Sequence, residues 1–372
     1  MKLVRCTLAL IALLPLRANA EEPVDLAVIH RIKAEAFQGS QVMDSLFYLT
    51  DVNGPRLTGS PGYRRASEWS VERLKQWGIT NAKLEKWGTF GRGWSFTRFA
   101  AHLKEPVYAA LPGVPRAWTS GTNGVVVGEV VAAPLFKATE RDDRQHLEKV
   151  LARIQEYSEQ YKGKLRGKIV LISPPPELDF PSEPAGKRYD DDSLASITIA
   201  PEPFRAPDFE WPLTNLPEDP KKRRQLWSSV PMEVRADHWR RMSKAWDILN
   251  AFLRDEGVLA VLTSGSRRGA GATMGGSGGS WEPDAPIPPP KVALPPEPYA
   301  RLSRLVEKEI VVKVELNVEA RFHDDDLDGI NVIAEIPGGK KKDEIVMLGA
   351  HLDSWHAGTG ATDNAGGCAI VL

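Results

Sequence analysis

His351 and Asp353 stand one residue apart in Gly349-Ala350-His351-Leu352-Asp353-Ser354-Trp355, and Asp363 follows twelve residues after His351 in Gly360-Ala361-Thr362-Asp363-Asn364-Ala365-Gly366-Gly367. In an extended segment residues i and i+2 point to the same side, so this imidazole and carboxylate are expected to meet. Imidazole is a good zinc ligand, and a carboxylate that accepts its second N–H fixes the tautomer and raises the basicity of the ligating nitrogen. Asp363, after a glycine-rich loop that permits close backbone approach, offers two oxygens that can bridge two metal ions. By type and spacing these residues describe half of a metal centre. Surface loops also gather His and Asp for turn-forming reasons, so spacing alone leaves that second reading open.

Other motifs compete for attention. His356 reads as a loop or substrate-cleft residue rather than an extra ligand. Asp324, Asp326, Asp328, Gly329 and Glu335 satisfy a calcium-loop pattern, but that loop needs flanking helices, and strand-like runs flank it here, so an acidic turn is expected. Gly275-Gly276-Ser277-Gly278-Gly279 satisfies G-x-S-x-G. A serine nucleophile there requires a strand-to-helix elbow, whereas Trp281-Glu282-Pro283 follows, so the stretch reads as a flexible loop. Cys368, at an apolar helix start, reads as a buried structural thiol. Lys221-Lys222-Arg223-Arg224, beside Glu218 and Asp219, reads as a solvated face.

Position in the chain strengthens the metal reading. Glu344 to Ala350 is an apolar run expected to form a buried strand that delivers His351 at its carboxyl end, where open α/β sheets place their ligands. Asn331 to Ile336 is a second strand candidate, with Pro337-Gly338-Gly339 as the turn between them, and Val312 to Val318 alternates apolar and polar as a strand should. Farther back, Val125 to Val131 and Lys168 to Ile172 are strand runs separated by an amphipathic helix over Leu147 to Tyr157. Pro174-Pro175-Pro176 and Glu282 to Pro290 are expected on surface loops. Near the start, Gly59-Ser60-Pro61-Gly62 is a turn. A helix presenting Ala66, Trp69, Leu74 and Trp77 follows and ends at Gly78, and Leu84 to Trp87 suits a short strand.

With 372 residues, 42% of them hydrophobic, the chain has enough apolar material for more than one domain. Lys plus Arg 48 against Asp plus Glu 49 leaves a formal charge of -1, which gives no field for nucleic acid. Lys2 and Arg5, an apolar run from Leu8 to Leu16 and then Ala18-Asn19-Ala20 have the anatomy of a signal peptide, which predicts export to the periplasm or the medium. That run is shorter than the roughly 20 residues needed to span a bilayer, and no stable membrane insertion is expected. Cleavage after Ala20 removes Cys6 and leaves Cys368 alone, so no intrachain disulfide is expected. Cys6 precedes the apolar run, which argues against a lipid anchor.

The phrases around His351 and Asp363, together with Asn331-Val332-Ile333-Ala334-Glu335-Ile336-Pro337-Gly338, resemble the co-catalytic zinc exopeptidases, the family of bacterial secreted aminopeptidases and carboxypeptidase Q. Pro55-Arg56-Leu57-Thr58-Gly59-Ser60, Gly93-Trp94 and Gly167-Lys168-Ile169-Val170-Leu171 are similar to members carrying an inserted protease-associated domain. The resemblance implies an α/β fold with a mixed, mostly parallel sheet and flanking helices, interrupted by a β-rich protease-associated-like insert. The expected divisions are a signal peptide at 1–20, the first part of the catalytic domain at 21–118, the insert at 119–315 and a further part of the catalytic domain at 316–372. It implies that His351 ligates one of two zinc ions, Asp353 orients it and Asp363 bridges, with a cis peptide after Asp363. The general-base Glu, further acidic ligands and a last His are expected beyond Leu372, so that residues 1–372 by themselves would be inactive. The implied activity is hydrolysis of terminal peptide bonds, aminopeptidase ahead of carboxypeptidase or dipeptidase, on peptide substrates. Two alternatives stay open: an inert binding module built on the insert, and, more weakly, a serine hydrolase using Ser277. Oligomeric state is not legible.

Overall fold

The computed structural model describes residues 24–176, 186, 188–199, 217, 219–265 and 274–372; the signal-peptide segment lies outside them. The chain opens with α1 (Leu26–Gln38), α2 (Val42–Phe47), which widens into a π-type turn over Tyr48–Val52, and α3 (Pro61–Gln76). Ser60 caps α3 by accepting from the Tyr63 amide, and Pro61 supplies a preset φ at its first turn. The helix stops where Gly78 turns to a φ of 92°, a conformation that suits glycine.

Next come β1 (Lys83–Thr89), β2 (Gly93–Glu105), β3 (Ala109–Ala110), β4 (Val114–Pro115) and β5 (Val126–Ala132). They are followed by α4 (Leu147–Tyr161), β6 (Lys168–Leu171), α5 (Asp191–Thr198), α6 (Pro220–Ser229), α7 (Met232–Asp255), β7 (Ala260–Ser264) and β8 (Lys291–Leu294). The described elements end with α8 (Pro296–Glu307), β9 (Lys313–His323), β10 (Asp328–Ile333) and α9 (Gly366–Val371).

Eight strands form one mixed sheet in the order β3-β2-β9-β5-β6-β7-β8-β4, with β5, β6, β7 and β8 running parallel to one another. The period of two along these strands feeds two cores. Ile169, Leu171, Ala260 and Leu262 pack with Tyr299 and Leu302 of α8, while Val170 and Val261 face Ile154 of α4 and Leu249 and Leu253 of α7. Both faces of β6 and β7 are therefore covered, which is why these strands read as near-continuous apolar runs. The architecture is the expected mixed α/β fold.

The sheet reaches past the 119–315 span expected of the insert, because β2 and β9 are among its strands. These two run antiparallel from Gly93 opposite His323 to Glu105 opposite Lys313. Below them β1 pairs antiparallel with β10 as a separate two-stranded ribbon. At its foot Gly59 and Gly93 touch: a Cβ on Gly93 would lie 2.0 Å from the Gly59 carbonyl oxygen.

Several expectations are corrected. Glu344 to Ala350 is not a strand, and Ile345, Val346, Met347 and Leu348 are 74–91% exposed. Apolar composition favours burial, but a strand also needs a hydrogen-bonding neighbour, and none of the described strands pairs with this run. The strand placed at Asn331 to Ile336 instead spans Asp328–Ile333, in register with β1. Pro288, Pro289 and Pro290 are buried rather than on a surface loop, since their carbonyls feed the sheet: Pro290 accepts from Val261 N and Pro288 from Ser120 N. Arg223 is also buried, donating to the Pro217 carbonyl, so the basic run is not a uniformly solvated face. Among the described residues no helix is long and apolar enough to cross a membrane.

Candidate metal centre

Arg56, from the loop before α3, is fully buried and organises the segment that carries the candidate ligands. Its guanidinium donates to the carbonyls of Leu352 at 2.8 Å, Leu49 at 2.6 Å, Thr359 at 2.7 Å and Gly360 at 3.0 Å. Its backbone N–H donates to Ser354 Oγ at 3.0 Å, and Ser354 N returns a bond to the Arg56 carbonyl at 2.9 Å. Burial pulls this guanidinium below its usual pKa, with Cys368 and Asp353 opposing. An arginine nevertheless stays charged in proteins. Every acceptor of the guanidinium named is a backbone oxygen, so the cation fixes the path of residues 352–360 instead of pairing with an acid. Gly360 adopts a φ of 67° and packs on Ser354, whose Cβ would lie 2.3 Å from any added Cβ.

On this frame burial alternates. Ser354 and His356 are buried, whereas His351, Asp353 and Trp355 lie on the open side, the period of an extended segment. His351 Nδ1 is 3.1 Å from Asp353 Oδ1, and His351 Nε2 is 3.0 Å from Asp363 Oδ1. The other Asp353 oxygen, Oδ2, accepts the Thr58 hydroxyl at 2.8 Å. The Asp363–Asn364 peptide is cis. The structure thus brings all three sequence-predicted residues together.

This arrangement fits a metal. Imidazole has two ring nitrogens, and only its cation could donate to both carboxylates at once; a metal ion at Nε2 takes the place of that second proton. Donor atoms on one tetrahedral zinc, each about 2.0–2.2 Å from it, sit about 3.4 Å apart, close to the observed 3.0 Å. Among the described residues no group of three or more His, Cys, Asp or Glu side chains is poised around one point. That agrees with Asp353 standing behind His351, on Nδ1, and not beside the metal position.

The other sequence candidates fall elsewhere. His356 Nε2 donates to the Pro115 carbonyl at 2.7 Å, and the ring is packed edge-on against Trp94 and Phe96. Burial lowers its pKa, so it is a neutral buried loop residue and not part of an open cleft. Cys368 is buried beside Leu49 and Ala66, its pKa raised by burial, its thiol donating to the His351 carbonyl. Ser277 donates to Gly279 O in a β-bridge with Ala117, without the elbow a nucleophile needs. Asp326 and Asp328 are held by Lys86 Nζ at 3.1 and 3.0 Å, an acidic turn with its own cation. Arg56, Thr58 and Ser354 were not singled out as site residues, because nothing local marks partners almost 300 positions apart.

The class of protein follows from comparison. Residues 331–372, which contain His351, Asp353 and Asp363, match the model of peptidase family M28. Carboxypeptidase Q of Pongo abelii is 35% identical over 81 residues, 22% of this chain and 17% of that protein. Carboxypeptidase Q of Xenopus laevis is 36% identical over 96 residues, 25% of this chain and 20% of that protein. The matched stretch thus spans a fifth or less of these relatives. The peptidase M28 precursor of Shewanella amazonensis SB2B has a similar fold, with a TM-score of 0.51 and 21% identity over 93% of this chain and 61% of that one. These matches support the resemblance to the zinc exopeptidases.

Proposed function

We propose that this chain is a zinc-dependent metallo-exopeptidase of the M28 type that hydrolyses terminal peptide bonds, an aminopeptidase ahead of a carboxypeptidase or dipeptidase. The observation that carries the proposal is the relay Thr58 to Asp353 to His351 to Asp363, at 2.8, 3.1 and 3.0 Å. His351 would ligate through Nε2, Asp363 would bridge two zinc ions, and Asp353 would hold the tautomer with Nδ1 protonated. Zinc bound there would supply Lewis acidity toward the scissile carbonyl and lower the pKa of a water toward about 7. Thr58 keeps Asp353 from rotating away from the imidazole, and Arg56 fixes the backbone on which His351 and Asp363 converge. The sheet-bearing module is read as a protease-associated-like insert. Export through the N-terminal signal peptide is part of the same proposal.

The test is zinc affinity of the purified chain by competition with a chromophoric chelator. His351→Ala and Asp363→Asn should each lower zinc affinity at least tenfold. Zinc uptake indifferent to both substitutions would overturn the reading and favour a metal-independent binding role for the insert.

A further inference from the structure

The glycine-rich loop at 275–279 has no catalytic elbow, yet it is built to tight tolerances. Gly278 N and Gly279 N both donate to the Ala117 carbonyl, at 2.9 and 3.1 Å, and Ala117 N donates to Gly276 O at 3.0 Å. A Cβ on Gly279 would stand 1.9 Å from the Trp118 carbonyl oxygen, and one on Gly275 would stand 2.6 Å from His356 Nε2. The loop therefore grips Ala117-Trp118 and touches the candidate metal segment at His356.

What it grips is strained. Trp118 has a φ of 58°, a conformation that a bulky residue holds only when its surroundings impose it. Its indole N–H donates to the Arg92 carbonyl at 2.9 Å, and its ring is buried. Two partly open indoles pack on it: Trp281 at 5.3 Å and Trp355 at 6.2 Å between ring centroids. Trp281 stacks in turn on Phe90 at 5.8 Å. Trp281 is 40% exposed and Trp355 43%, so each offers ring surface to solvent while its backing is fixed. Trp355 lies on the open side of its segment with His351 and Asp353, about 7 Å along the chain from Asp353 at ~3.3 Å per residue.

We propose that Trp355 and Trp281, backed by Trp118, form an aromatic subsite beside the candidate metal centre that holds an aromatic or large aliphatic side chain of the peptide substrate. The occupant follows from continuity: Trp355 shares its segment and its open side with the ligand pair, so a peptide presented to His351 and Asp363 passes these rings. The proposal rests on the peptidase reading and narrows its substrate class. Rigid aromatic surface suits such a side chain because ring contacts add to apolar burial, and strain held at Trp118 is a cost that positioning of both indoles explains.

The experiment measures binding of Phe-Ala-Phe and Ala-Ala-Ala to the full chain by calorimetry, with zinc present, and zinc uptake by the wild type and by His351→Ala. The wild type should bind Phe-Ala-Phe roughly two- to tenfold more tightly. Trp355→Ala and Trp281→Ala should each remove most of that preference without altering zinc content or the melting temperature, and Trp355→Phe should retain it. Equal binding of the two peptides by the wild type, or a preference that survives both alanine variants, would overturn the subsite. If a variant fails to fold, quenching of wild-type tryptophan emission by Phe-Ala-Phe but not by Ala-Ala-Ala supports the proposal, and absence of that difference sinks it. A Phe preference without zinc uptake at His351 leaves the subsite standing and removes the metallopeptidase reading. Zinc uptake at His351 without the preference does the reverse.

Discussion

The parallel strands β5 to β8 and the segment 351–365 are both ordered parts of one chain, but they are held by different physics. The strands are covered on two faces by α4, α7 and α8, so their stability is spread over many apolar contacts, none of which is indispensable. The site segment has a small apolar base, Leu49, Ala66, Ala365 and Cys368 with Leu352 and Trp69 alongside, and takes its shape from the bonds of a single buried cation, Arg56. Apolar area tolerates substitution gradually, whereas a hydrogen-bonded hub fails all at once. A metal site needs positions fixed to fractions of an ångström, and directional bonds from a planar guanidinium provide that where dispersed packing would not.

The largest effect should come from breaking the hub. Arg56→Met leaves one buried and three partly buried carbonyls without their donor and should destabilise the site segment by on the order of 4 kcal/mol. Amide exchange should accelerate across 352–365 while β5 to β8 keep their protection; a uniform loss over both regions would contradict the separation drawn here. Next, Leu262→Ala removes a fully buried side chain from the middle of the sheet and should cost roughly 2–5 kcal/mol. That loss should be read in the urea midpoint of the insert, with zinc affinity of the native chain preserved.

A subtler test lies inside the well-packed region. Lys291 on β8 is buried, donating to Asn250 Oδ1. Burial, with Arg116 adding repulsion, lowers its amine to about 7 from the ordinary 10.5. Between those values the unfolded chain holds a proton that the folded chain does not, so stability should rise with pH across the window, by up to about 1.4 kcal/mol per unit. Lys291→Met should flatten the difference between urea midpoints at pH 7.5 and 9.5; an unchanged slope would mean that the amine stays protonated in the fold. The smallest effect belongs to Thr58→Val, which removes one bond to Asp353 and should cost about 1 kcal/mol locally. Zinc affinity should weaken by less than tenfold, measurable by chelator competition, while the insert melts unchanged.

Legibility in the sequence followed the range of the signal. The alternation in β9 and the apolar faces of α3 and α4 are local patterns, and each led to the right element. His351, Asp353 and Asp363 were legible because their spacing is short. Arg56 was not: its bond to Leu352 spans 296 positions, and a lone arginine in a loop carries no mark of burial. The run Glu344 to Ala350 misled for the opposite reason, since its composition speaks to burial but not to which strand would pair with it. The glycines at 275–279 suggested a flexible loop, whereas their lack of Cβ atoms is what allows a close fit around Ala117 and Trp118.

The ribbon beneath the insert has a consequence for how such a chain could have been assembled. Entry and exit lie side by side, with Gly93 paired to His323, so everything between them is a cassette mounted on adjoining ends. Bridging neighbouring strand ends with a tight turn carries little closure entropy. Excising the module would leave the Arg56 bonds and the Thr58–Asp353 contact in place, but it would take away Pro115 and Trp118, against which His356 and Trp355 rest.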